Sequence, residues 1–228
     1  MRQLFDGDII INILIIISGI CWSAVYVDSI RLGFKQKTYC MPLFALGLNI
    51  AWEGIYSFTD LFIRHSYGAQ AFANAAWFIL DIFIVISFLK YGKEEMQGEL
   101  GKKFFVPWTV LVLASCFVLQ ILFMVEFGDV EGEKYSAFLQ NIAMSVAYLY
   151  MLNSRKSSKG QSMLIAVCKC VGTVTPTIFG TVTPTIFGTI EGNMFILVTG
   201  VICFIFDAIY IYCLHHVMQK EKAGLAHT

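Results

Sequence analysis

Seven apolar runs, at about 8 to 27, 41 to 63, 69 to 89, 104 to 127, 135 to 152, 163 to 187 and 193 to 215, alternate with short polar links along the chain. Each run is long enough to cross a hydrocarbon core of about 30 Å as a helix. The pattern predicts an all-α integral membrane protein, a seven-transmembrane-helix bundle forming a single domain over 1–228. No polar stretch between the runs is long enough to make a second domain. The first run lacks a basic n-region and a cleavage pattern, and it is too long for an h-region. It therefore reads as a helix that stays in the protein and not as a signal peptide.

Charge in the links is uneven. Arg31, Lys35 and Lys37 follow the first run, and Lys90, Lys93, Lys102 and Lys103 follow the third. Arg155, Lys156 and Lys159 follow the fifth, and Lys220 and Lys222 follow the seventh. The opposite links hold only Arg2, Arg64 and Lys134. The positive-inside rule places the N-terminus outside or lumenal and the C-terminus in the cytoplasm. The alternation also supports a count of seven, since losing one crossing would scramble it.

Polar residues inside the runs fall at helical spacing. Asn49, Glu53 and Tyr56 stand at i, i+4 and i+7 and share one face, with Trp52 beside them. Asn74, Trp77 and Asp81 share a face in the third run, as do Cys203, Asp207, Tyr210 and Leu214 in the seventh. Asn141, Ser145 and Tyr148 form a stripe in the fifth, read as polar glue between helices. Lys169, near the basic end of the sixth run, reads as a side chain that snorkels to the interface. His215 and His216, at the exit of the seventh, read as interfacial and not as metal ligands.

Three carboxyls at mid-membrane depth on three helices are costly to leave in lipid, so Glu53, Asp81 and Asp207 are expected to converge. Apolar surroundings favour the protonated carboxyl, which is a competent general acid. Electron-rich rings such as Trp52, Tyr56, Trp77 and Tyr210 can stabilise a passing cation.

Composition narrows the classes. The 228 residues are 57% hydrophobic and 14% charged, against about 25% charged in a soluble domain. Net charge is zero, which gives no case for nucleic-acid binding. The seven cysteines lie mostly inside apolar runs and read as small packing residues. No DDxxD-type magnesium motif is present, nor HExxH, GxSxG or Walker sequences. TVTPTIFG at 173–180 recurs letter for letter at 181–188, which adds Pro184 to Pro176. This reads as a tandem duplication whose second copy kinks the sixth helix or spills into the outer loop.

Taken in order, the residues resemble a known family. Asn49-x-x-Trp52-Glu53-x-x-Tyr56, Trp77 with Asp81, and Gln140-Asn141 with Ser145 carry the likeness. It continues through Arg155, Gly160-Gln161-Ser162, Lys169, Gly172-Thr173 and Asp207-x-x-Tyr210. These are similar to the small seven-helix transmembrane terpene cyclases of fungal meroterpenoid and indole-diterpene pathways, with bacterial relatives. The duplicated TVTPTIFG is not part of that pattern. The resemblance implies a terpene cyclase of isomerase or lyase type, independent of metal and cofactor, working in secondary metabolism. It implies that the enzyme protonates an epoxide or alkene of a hydrophobic prenylated substrate and directs carbocation ring closure. It also implies Glu53 and Asp207 as the essential acids, one donating the proton while the other orients it or holds its proton. Asn49, Trp52, Tyr56, Trp77, Asp81, Asn141 and Tyr210 are then expected to line the substrate cavity. The bilayer, endoplasmic reticulum in a eukaryote or plasma membrane in a bacterium, is the expected setting, with no obligate protein partner. A rival reading is a proton-coupled small-molecule transporter using the same acids. Against it, the halves show no similarity to one another. A non-catalytic receptor would leave both acids without a reason to be there.

Overall fold

The computed structural model describes residues 2–96, 98–182 and 193–224, and among them all regular structure is helical. In chain order the helices are α1 (Arg2–Gln36), α2 (Leu43–Phe58), α3 (Ala69–Glu95), α4 (Gly98–Lys103), α5 (Phe105–Arg155), α6 (Met163–Thr177) and α7 (Met194–Lys222). Two π-helical turns, Thr59–Ile63 and Ile178–Val182, extend α2 and α6. Five helices are long and apolar enough to cross a membrane: α1, α3, α5, α7 and α6 with its π extension. Most of the second TVTPTIFG copy, with Pro184, lies outside the described residues, so the kink expected there does too.

The surface is apolar, and many polar side chains are buried beside the apolar core, unlike in a soluble fold. Ile16, Val118, Val125, Val201 and Tyr212 are among the exposed large side chains. Asn74, Asp81, Ser87, Ser145 and Lys169 have no exposure at all. Hydrocarbon offers polar groups no partners, so they must find them between helices.

α5 is one continuous 51-residue element only by its hydrogen bonding. Gly128 interrupts it at φ 77°, ψ 169°, a conformation essentially confined to glycine. The chain folds back there: a Cβ on Gly132 would stand 2.6 Å from the Phe123 carbonyl oxygen. The two limbs, 105–127 and 129–155, therefore form a hairpin.

Pro176 sits inside α6 and cannot donate to the carbonyl four residues back, that of Gly172. α1 supplies the missing donors. Ser18 Oγ donates to the Gly172 oxygen at 2.8 Å and Trp22 Nε1 at 3.2 Å. Gly172 lets the indole come this close, since a Cβ would meet Trp22 Nε1 at 2.9 Å. This lock sets the α1–α6 contact.

At the end of the bundle carrying most of the basic residues, Arg155 ties the links together. It donates to Glu95 at 2.6 Å, to the Tyr39 carbonyl at 3.0 Å and to the Lys159 carbonyl at 2.9 Å. Its guanidinium also lies 4.1 Å from the Tyr39 ring centroid. Ser162 caps α6 by accepting from Ile165 N–H, and Asn193 caps α7 by accepting from Ile196 N–H.

Candidate active site

The stripes read from the sequence do face inward. Asn49, Glu53 and Tyr56 are at most 4% exposed, Asp81 is fully buried, and Asp207 and Tyr210 are at most 1% exposed. What the packing adds is the pairing, and it forms two centres.

The first centre joins α1, α2 and α3. Tyr26 Oη donates to Glu53 Oε1. Asn49 Nδ2 donates to the same Glu53 oxygen at 3.1 Å and to Asp81 Oδ2 at 2.9 Å. The amide thus bridges two carboxyl groups 28 positions apart in sequence. Neither Glu53 Oε2 nor Asp81 Oδ1 receives a hydrogen from any other donor. The Asn49 amide therefore holds the two carboxyl groups as neighbours. Behind Asn49 the chain of amides continues: Gln140 Nε2 donates to Asn49 Oδ1 at 3.4 Å, and Gln120 Nε2 to Gln140 Oε1 at 2.9 Å. Rings wall this centre. Trp77 stacks on Tyr26 with centroids 6.0 Å apart and planes 12° apart, and Trp22 stands 6.4 Å from Tyr26 on another side. Trp77 is held by its indole N–H, which donates to Ser23 Oγ at 3.1 Å.

The second centre joins α5, α6 and α7. Lys169 Nζ donates to Ser145 Oγ at 2.6 Å, Asp207 Oδ1 at 2.7 Å and Asp207 Oδ2 at 2.9 Å. The expectation that Lys169 snorkels is corrected here: it is wholly buried, because a carboxylate waits for it at mid-helix. Glu53 and Asp207 accordingly do not share a hydrogen-bond network. The acid that meets Glu53 is Asp81.

The remaining expected lining residues divide. Tyr210 donates to Gln161 Oε1 at 3.0 Å, and its ring lies 5.4 Å from that of Tyr148, whose hydroxyl is buried without a partner. Asn141 Oδ1 and Tyr56 Oη are likewise buried without partners. Trp52 turns toward α5, where its indole N–H donates to the Glu133 carbonyl at 2.9 Å, with its ring 5.5 Å from Tyr56. A groove of about 780 Å³ opens at the basic end beside Tyr39, Leu43, Phe88 and Trp108, and none of the expected site residues line it. Among the described residues no three His, Cys, Asp or Glu side chains gather to hold a metal ion.

Tyr26, Trp22 and Gln120 were not singled out from the sequence. Trp22, Tyr26 and Ser29 recur at i, i+4 and i+7 in the first run, which is the signal that would have found the first two. Gln120 is the lone amide of its run.

The chain is 32% identical over 163 residues to the Pyr4-family terpene cyclase mfmH of Annulohypoxylon moriforme, covering 71% of this chain and 66% of that one. It is 27% identical over 207 residues to terpene cyclase pyr4 of Aspergillus fumigatus, covering 89% and 85%. To Asnovolin H synthase nvfL of Aspergillus novofumigatus it is 24% identical over 223 residues, covering 94% and 89%. No solved structure matches it. A family model matches residues 3–220, nearly the whole chain, and on that match this integral membrane protein belongs to the Pyr4-like transmembrane terpene cyclases.

Proposed function

We propose that the protein cyclises a prenylated meroterpenoid- or indole-terpenoid-type substrate within the membrane, with the Glu53–Asp81 pair as proton source. The observation that carries this reading is the pair of buried carboxyl groups bridged by Asn49 and walled by Trp22, Tyr26 and Trp77, where two bare carboxylates would repel. A proton shared between them passes to an epoxide oxygen or an alkene carbon. Protonation opens the C–O bond or the double bond and leaves a tertiary cation. The remaining double bonds close rings on that cation, and loss of a proton from carbon ends the sequence. The substrate is thereby isomerised with no net change of atoms. Aromatic faces stabilise the moving charge, and Asp207 supplies a fixed negative charge from the second centre.

The single domain crosses the membrane seven times in this reading. The two limbs of α5 count separately, and α2 with its π turn makes the remaining crossing. The basic end faces the cytoplasm, and the relatives from filamentous fungi favour the endoplasmic reticulum membrane. No nucleic acid, metal or obligate protein partner enters the scheme.

The test is product analysis of membranes expressing the chain, supplied with epoxidised and plain prenyl-phenol or prenyl-indole substrates. Wild type should yield cyclised isomers, and Glu53→Gln should lose roughly 100-fold or more at equal expression. Full turnover by Glu53→Gln would remove the acid from this position. Substrate that crosses vesicles unchanged would turn the assignment to transport.

A further inference from the structure

Lys169 is the one cation among the described residues with no exposure at all. An ammonium has three N–H bonds, and here three oxygens receive them: one from Ser145 and both from Asp207. A proton on Asp207 would have to displace one of these bonds. Among the described residues no other cation is paired with this carboxylate. The titratable groups near Asp207 are Cys170 on α6, Cys203 and Tyr210 on α7, and Tyr148 on α5, all uncharged thiols and phenols.

We propose that Lys169 is a positioning residue that holds Asp207 as an anion, so that Asp207 acts as a fixed counter-charge to the cationic reaction and not as its proton donor. A preoriented charge needs no reorganisation when the cation forms, and the dry interior strengthens its effect. The ammonium offsets part of the carboxylate's charge, so the pair acts on a cation through its fixed dipole and not as a bare anion. Ser145 completes the ammonium's shell and sets its angle, and its own hydroxyl donates to the Asn141 carbonyl at 2.9 Å. α5, α6 and α7 thus meet at one nitrogen. This inference rests on the cyclase reading for its catalytic half, while the charge state can be measured without turnover.

Infrared difference spectroscopy of purified protein tests the charge state. Subtracting Asp207→Asn from wild type should remove a carboxylate band, and removal of a protonated-acid C=O band would overturn the proposal. Lys169→Met should create an acid C=O band that disappears in Lys169→Met with Asp207→Asn. If Lys169→Met fails to fold, the wild-type comparison decides alone. The pH profile of cyclisation tests the catalytic half. Lys169→Met should regain activity as pH rises, because its unpaired Asp207 must ionise first, with each pH unit below the midpoint costing tenfold. Wild type should lack that limb. Lys169→Met should also add nothing to the loss caused by Asp207→Asn. An equal loss at every pH, or additive losses, would reduce Lys169 to a packing residue. Wild type that cyclises nothing would sink the cyclase reading while leaving the infrared result standing.

Discussion

Replacing Asn49 by leucine tests the first centre most directly. The side chains are close in size, so the change removes hydrogen bonds while leaving little cavity. Asp81 Oδ2 loses the only N–H donor it has, and Gln140 Nε2 loses its acceptor. Glu53 Oε1 keeps Tyr26. Two buried polar groups left without partners cost about 1–3 kcal/mol each, or about 2–6 kcal/mol together. At about 2–4 °C per kcal/mol for a chain of this size, unfolding should come roughly 4–24 °C earlier. Burial of the leucine offsets part of this, so the lower half of the range is expected. The readout is labelling by a thiol-reactive fluorophore during heating. Cys40 lies in the link before α2, has no exposure, and its thiol is pushed up to about 12 by burial, so it labels only when the fold opens. Turnover should fall by roughly 100-fold, because the two carboxyls are no longer held in register. An Asn49→Leu protein that unfolds at the wild-type temperature and cyclises normally would refute the bridged pair.

Further expectations concern how the centres are held. Gly128→Ala forces a side chain into a glycine-only conformation and should cost about 1–3 kcal/mol by the same thermal labelling. Trp22→Phe leaves the Gly172 carbonyl, already orphaned by Pro176, with Ser18 alone, and should cost about 0.5–1.5 kcal/mol. Gly172→Val puts branched carbon against the Trp22 indole and should cost about 1–3 kcal/mol; a stable Gly172→Val protein would contradict the α1–α6 lock. Arg155→Ala removes a charged hydrogen bond to Glu95 and should lower stability by about 1.5–3 kcal/mol. That loss should appear as faster proteolysis of the 156–162 link.

The sequence by itself determined the solvent and the faces. Runs of apolar residues fix a lipid setting because nothing else accommodates so little charge, and the 3.6-residue period fixes which polar residues share a stripe. Glu53 with Asn49, and Asp207 with Tyr210, follow from that period alone, and their neighbours carried the family likeness. Tertiary structure alone decided the partners. Which helix faces a stripe depends on how the helices rotate and pack, and the bonds that matter link residues 20 to 91 positions apart. Periodicity contains no information about such pairs. Asp81 is joined to Glu53 because Asn49 reaches both, and Tyr26 enters the centre from a run with no carboxyl at mid-membrane depth. Lys169, read from its position near a helix end, is drawn inward by Asp207, since hydrocarbon makes an unpaired charge far costlier than an extended side chain.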